Sequence, residues 1–209
     1  MIDNESDARG LIREHGGREA EEKVERLHAL LVDENERQNL VAARSLDDAW
    51  VRHYADSAQL LAHVSRETAP WLDLGAGAGF PGLVVAILRP EQQVVLVESR
   101  AKRVEWLERA AEALALDNVA VIGSRLELVD DFEAAVISAR AFAPLEKLLR
   151  LSARFSTKRT QWVLPKGRSA SQEVQELPRR LRQMFHVEQS LTSPDAGIVV
   201  GTGLVEMPR

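Results

Sequence analysis

Between residues 71 and 82 the chain reads Trp-Leu-Asp-Leu-Gly-Ala-Gly-Ala-Gly-Phe-Pro-Gly, which sets a carboxylate and a run of glycines at the end of a short apolar stretch. Gly75, Gly77 and Gly79 remove the Cβ atoms that would hold a ligand away from the loop backbone. Pro81 suits the first turn of a helix, where its missing N–H costs nothing. The apolar run Leu83-Val84-Val85-Ala86-Ile87-Leu88 that follows is the body of that helix. A strand, a glycine loop and a helix in this order form the layout of a nucleoside-cofactor site, and a second carboxylate, Glu98, follows the next apolar stretch.

Two cofactors fit these residues. Gly77, Gly79 and Gly82 satisfy G-x-G-x-x-G, the dinucleotide fingerprint, with Glu98 on a ribose. The register Asp73-x-Gly75-x-Gly77-x-Gly79 instead resembles the loop of S-adenosylmethionine-dependent methyltransferases, which implies Glu98 again on the ribose hydroxyls. Electrostatics favours the second reading, because a carboxylate at the strand end repels a pyrophosphate and suits a ligand bearing an ammonium and a sulfonium. A purely structural glycine turn is the remaining alternative.

Composition narrows the chemistry. There is no cysteine, which excludes disulfides, thiolate metal sites and cysteine nucleophiles, and the five histidines lack metal-ligand spacing, so no metal is expected. No apolar run approaches a membrane span and no leader is visible, so a cytoplasmic protein without membrane contact is expected. The net charge of −5 is unevenly spread: residues 139–209 carry 12 basic and 6 acidic side chains, whereas the rest is strongly acidic. Such asymmetry marks either a polyanion-binding face or a set of solvated helix faces.

The elements that must position these residues follow from periodicity. Residues 1–65 read as a helical extension. Ala20, Val24, Leu27 and Leu31 form one stripe and Trp50, Tyr54, Ser57 and Leu61 another, with Ser45 and Asp48 as a capping pair and Gly16-Gly17 separating off a short first helix expected to fray. Residues 66–209 alternate strands (71–74, 94–97, 119–122, 134–138, 161–164) with helices (81–88, 102–114, 144–155, 170–183), and end in a hairpin over 185–192 and 197–205. This predicts an α/β, doubly wound, mostly parallel sheet with an antiparallel C-terminal hairpin. Ligands then sit at the carboxyl ends of the strands, where Asp73, Glu98, Ser124 and Arg140 fall.

Together these residues resemble one family, the bacterial small-subunit rRNA guanine-N7 methyltransferases, also called glucose-inhibited division protein B. The resemblance runs from about Asn39 to Gly167. It rests on Asn39-Leu40-Val41-Ala42, Arg52-His53-Tyr54-Ala55-Asp56-Ser57, the Asp73–Gly82 loop with its Phe-Pro-Gly ending, Glu98-Ser99 with Lys102-Arg103, Ser124-Arg125-Leu126-Glu127, Ala139-Arg140-Ala141 and Lys166-Gly167, in that order. Glu98 stands where the family often has Asp, which keeps the carboxylate, and Pro165 before Lys166 departs from its pattern.

The resemblance implies a Rossmann-like class I fold and transfer of a methyl group from S-adenosylmethionine to N7 of guanine 527 in 16S rRNA, in a small subunit or an assembly intermediate, by a monomer. Purine N7 carries a lone pair and no proton at neutral pH, so positioning suffices and no general base is needed. The residues agree, since Ser138-Ala139-Arg140-Ala141-Phe142-Ala143 replaces the Asn/Asp-Pro-Pro-aromatic loop of amine methyltransferases. Asp73, Gly75, Gly77, Gly79, Phe80, Glu98, Leu126 and Glu127 are expected around the cofactor. Arg140 is expected to position substrate or cofactor. Arg100, Lys102, Arg103, Lys158, Arg159, Lys166 and Arg168 are candidate RNA phosphate contacts, Phe142 a base-stacking residue, and His53 a site contact or a buried core histidine. A methyltransferase of another substrate and a non-catalytic RNA-binding assembly factor are the rival readings.

Overall fold

Seven strands form one sheet in the order β3-β2-β1-β4-β5-β7-β6 in a computed structural model that describes residues 1–65 and 68–206. The strands are β1 (Trp71–Leu74), β2 (Val94–Glu98), β3 (Val119–Gly123), β4 (Val136–Ser138), β5 (Gln161–Gly167), β6 (Phe185–Gln189) and β7 (Gly197–Thr202). The first five are parallel, and β7 returns antiparallel between β5 and β6. β1, β2 and β4 are buried throughout, which is why, Asp73, Glu98 and Ser138 apart, they read as apolar runs rather than alternating ones.

Strand alternation sorts the side chains into two cores. Trp71, Val94, Leu96, Val136 and Val163 face α1 (Glu5–Asn35), α3 (Gly82–Leu88) and α4 (Ala101–Ala113). Leu72, Leu74, Val95, Val97, Ile137 and Trp162 face α5 (Leu145–Ser152), α6 (Ala170–Glu176) and α7 (Arg179–Arg182). Every residue of α3 is buried, because one side meets the sheet and the other meets α1; a helix apolar all round must be enclosed.

The N-terminal 65 residues share that first core, and the boundary expected at 65/66 abuts Arg66 and Glu67, which lie outside the described residues. The expected fraying of the first helix is corrected. The chain bends at Gly17 (φ 73°), but Ala8 and Ile12 before the bend are fully buried, and the Arg9 guanidinium lies 3.9 Å above the Trp50 ring while pairing with Glu21 at 3.0 Å. A helical run then passes through Trp50–Ala55, which has the wide turn of a π-helix, α2 (Asp56–Ala58) and Gln59–His63. Ser45 does not cap it: its hydroxyl donates to the Ala42 carbonyl and lies 3.0 Å from His53 Nε2. The polar helix expected over 170–183 is two helices, because Pro178 lacks an N–H and holds Leu177 in extended backbone (ψ 147°). α3 begins at Gly82, with Pro81 as its cap residue rather than its first turn.

Candidate active site

The carboxyl ends of β1, β2, β4 and β5 converge where the sequence placed its chemistry. Asp73, at the end of β1, is fully buried. It accepts from the Ser138 hydroxyl at 2.8 Å and from the Gly82 backbone N–H at 2.9 Å, and Ser138 in turn accepts from the Trp71 indole N–H at 2.8 Å. Asp73 thus fastens the start of α3 to β1 and β4, a favourable place for a negative charge at a helix N-terminus. Burial pushes its pKa up to about 7, against the pull of those two hydrogen bonds. Gly82 has no alternative at this junction, since a Cβ there would lie 2.2 Å from Leu96 and 2.9 Å from the Asp73 carboxylate.

Two cavities open at this edge. One, of about 330 Å³, is walled by Gly75, Val97, Glu98, Ser99, Arg100, Arg103, Ser124–Glu127, Ala141–Ala143, Lys147 and Leu151. The other, of about 500 Å³, is walled by Asp56, Arg140–Pro144, Pro165–Gly167, Glu173, Ser190 and Ala196–Ile198. Ala141, Phe142 and Ala143 belong to both and form the wall between them. The Phe142 ring rests on the Gly75 backbone so closely that a Cβ on Gly75 would fall 2.5 Å from it.

Glu98 is buried at the end of β2. Its Oε1 accepts from the Ser99 and Arg100 N–H groups at 2.7 and 2.9 Å, and its Oε2 accepts from Gly77 N–H at 3.0 Å, with Arg103 at 3.9 Å. Three backbone donors leave one lone pair of Oε2 for a hydroxyl of a ligand. A cavity with one directed acceptor, a glycine floor and the apolar side chains of Val97, Leu126 and Leu151 fits a nucleoside whose ribose meets Glu98 and whose base lies toward Leu126.

Arg140, just past β4, reaches the N-terminal helical run. Its Nη1 donates to the Arg52 carbonyl at 3.2 Å, lies 3.4 Å from His53 Nδ1 and faces Asp56 Oδ2 at 3.5 Å. Its guanidinium carbon sits 5.0 Å from the centre of the Phe80 ring, which stacks on His53 at 5.0 Å with 9° between planes. Burial, aided by the charge of Arg140, pushes the His53 pKa down to about 3. His53 is therefore neutral, and its partners fix the tautomer: Nδ1 accepts from Arg140, so the proton sits on Nε2 and is donated to Ser45, whose own hydroxyl is committed to Ala42.

The expected residues separate into four groups. Gly75, Glu98, Arg100, Arg103, Leu126, Glu127, Arg140, Phe142 and Lys166 line one cavity or the other. Asp73 and Phe80 are buried beneath the loop, Gly77 reaches the site by donating to Glu98, and His53 reaches it through Arg140. Lys166 is no free phosphate contact, for it donates to the Ala143 carbonyl at 2.6 Å and pairs with Glu173 at 3.0 Å. Lys102 and Arg168 are exposed on the same edge as the cavities. Lys158 and Arg159 are not, because they lie in the turn that enters β5, at the amino ends of the strands. Sequence reasoning passed over Asp56, Ser138 and Lys147. Asp56 stood in plain view three residues after His53, the spacing that puts two side chains on one helical face.

The family model for rRNA small subunit methyltransferase G matches residues 20–197. The Erythrobacter litoralis protein named ribosomal RNA small subunit methyltransferase G is 63% identical over 97% of this chain and 98% of its own length. The protein of the same name from Rhizorhabdus wittichii is 46% identical over 97% of this chain and 94% of its own. Among solved structures, a SAM-dependent methyltransferase from Aquifex aeolicus superposes with a TM-score of 0.59 at 16% identity, covering 75% of this chain and 93% of its own. A mutant of MtNAS in complex with S-adenosylmethionine superposes with a TM-score of 0.57, also at 16% identity, over 87% of this chain and 75% of its own. Those two likenesses concern the fold, a Rossmann-like methyltransferase sheet with a helical N-terminal addition.

Proposed function

The chain belongs to the rRNA small subunit methyltransferase G family, and from that premise we propose that it methylates N7 of a single guanine, guanine 527, in the 16S rRNA of the small subunit. S-adenosylmethionine, bound in the smaller cavity, supplies an electrophilic methyl group. Glu98 holds the ribose, Leu126 and Glu127 the adenine, and the backbone at Gly75 the methionine end. Asp73, Gly77, Gly79 and Phe80 keep that floor in shape from below.

The observation that carries this reading is the shared wall. Among the described residues Ala141, Phe142 and Ala143 line both cavities, so a base in the larger cavity and a methyl donor in the smaller are separated by one three-residue stretch. N7 needs no proton removed, and the one histidine near the junction is held neutral and turned toward Arg140 and Ser45. What the residues supply is alignment, and holding a nucleophile in line can lower a barrier by roughly 7–11 kcal/mol. Arg140 serves by holding the nucleotide's oxygen atoms while sparing N7 itself, since a donor on N7 would block the lone pair that reacts.

Single-turnover assays with labelled S-adenosylmethionine test this. Label should pass to unmethylated small-subunit particles without added metal. Transfer to protein, or none to any form of the rRNA, would reject the reading.

A further inference from the structure

The larger cavity has four charged side chains on its wall, and they are not equally committed. Lys166 and Glu173 satisfy one another at 3.0 Å; Lys166 also donates to Ala143, and Glu173 accepts from Leu145 N–H and the Ser169 hydroxyl at 2.6 Å each. Asp56 is different. Its Oδ1 accepts from Gln59 Nε2 and from the Thr192 hydroxyl, each at 2.8 Å, and this clamp from two separate parts of the chain fixes the carboxylate plane. Among the described residues its Oδ2 meets Arg140 alone, at 3.5 Å, the outer limit of a hydrogen bond. Asp56 lines the larger cavity and not the smaller.

We propose that Asp56 selects the base: its Oδ2 accepts from the 2-amino group and the N1–H of the flipped guanine, leaving N7, on the opposite side of the purine, toward the Phe142 wall. This rests on the guanine-N7 reading above. A carboxylate is acceptor-only when ionised, and guanine is the base that presents two adjacent donors on its Watson–Crick edge. Adenine offers a lone pair at N1 and nothing at position 2, so it meets Asp56 with repulsion. Enzymes that act on an extruded base read it by this edge, and a site built to bond a donor rejects the analogue that lacks it. Phe142, Pro144, Pro165 and Ile198 supply the flat apolar surfaces between which a purine can lie.

Inosine, which is guanosine without the 2-amino group, keeps N7 and provides the test. Small-subunit particles are reconstituted with guanosine or inosine at the target nucleotide, and kcat/KM for methyl transfer is measured with the wild-type protein, Asp56→Asn and Asp56→Glu. The wild type should prefer guanosine by about 10- to 100-fold, the worth of a hydrogen bond to a charged group. Asp56→Asn should lose rate on both substrates, since inosine keeps the N1–H and Arg140 loses a partner, but more on guanosine, so that the preference falls to within about threefold, with S-adenosylmethionine binding by calorimetry unchanged. Asp56→Glu, which keeps the charge, should recover part of the preference. A wild type indifferent to inosine, or a preference that survives Asp56→Asn, would overturn the proposal while leaving N7 transfer standing. Absence of transfer to the guanosine particles would instead fail the underlying reading.

Discussion

Nη1 of Arg140 lies 3.4 Å from Nδ1 of His53, across 87 residues of chain, and this contact ties the end of the fourth strand to the N-terminal helical run. Through it the N-terminal segment becomes part of the site. Arg140→Ala should lower methyl transfer by about 10- to 100-fold, the worth of a charge-assisted hydrogen bond, while the melting temperature falls by only a few degrees. Arg140→Lys should not restore the rate, because a point charge cannot reproduce a fork held by Arg52, His53 and Asp56. A lysine variant with full turnover would contradict this role. Because burial and the Arg140 charge push the His53 pKa down to about 3, the rate should carry no His53 ionisation between pH 6 and 8; an inflection there that vanishes in His53→Asn would overturn the neutral-acceptor assignment.

Asp73 gives a stability signature. Its folded pKa, about 7, lies above the unfolded value near 4, so between those values the folded state holds a proton that the unfolded state releases. Stability from this group is therefore present below pH 4 and lost as pH rises to 7. Asp73→Asn removes the loss. Measured by calorimetry, the melting temperature of the variant relative to wild type should rise steadily from pH 4 to pH 7, and a constant difference would show that Asp73 is ionised throughout.

Two glycines of the loop should respond differently. A Cβ on Gly75 collides with Phe142, whereas one on Gly77 meets nothing nearer than 3.6 Å and suffers only from the positive φ of 57°. Gly77→Ala should cost about 1–2 kcal/mol of stability from backbone strain and weaken S-adenosylmethionine binding modestly. Gly75→Ala carries the same strain, at a φ of 64°, and must also displace the wall between the cavities, so it should reduce methyl transfer far more than Gly77→Ala does. Equal effects at both positions, read by calorimetry and turnover, would contradict the shared-wall geometry.

Local pattern carried much of this site, and topology carried the rest. The strand, glycine loop and helix around Asp73 were legible because their chemistry is written within ten residues, Asp73 to Gly82, and Glu98 because it ends the next apolar stretch. What Asp73 does was not, since burial and the Ser138 hydroxyl come from a strand 65 residues away. Arg140 was legible as a charge at a strand end and Arg52, His53 and Asp56 as one short motif, yet nothing in the sequence paired the two, which lie 84 to 88 residues apart. Lys158 and Arg159 illustrate the converse: a basic pair reads the same at either edge of a sheet, and strand direction puts this one at the edge away from the cavities.

That distinction predicts the salt response. Affinity for the small subunit should fall, for each tenfold rise in salt, by roughly 0.7–0.9 logarithmic units per phosphate neutralised. Removing charge at Lys102 and Arg168 should reduce that slope by up to about two, whereas removing it at Lys158 and Arg159 should leave it unchanged. Filter binding across a salt series checks both, and the reverse outcome would move the RNA to the other edge of the sheet.

The most direct measurement is the identity of the modified nucleotide. Unmethylated small-subunit particles are treated with the protein and S-adenosylmethionine, the rRNA is cut with nucleases, and the fragments are analysed by mass spectrometry. The account predicts one 7-methylguanine, at guanine 527, formed by the wild type and nearly lost with Arg140→Ala. A methyl group on adenine, cytosine, an exocyclic amine or a ribosomal protein would contradict it.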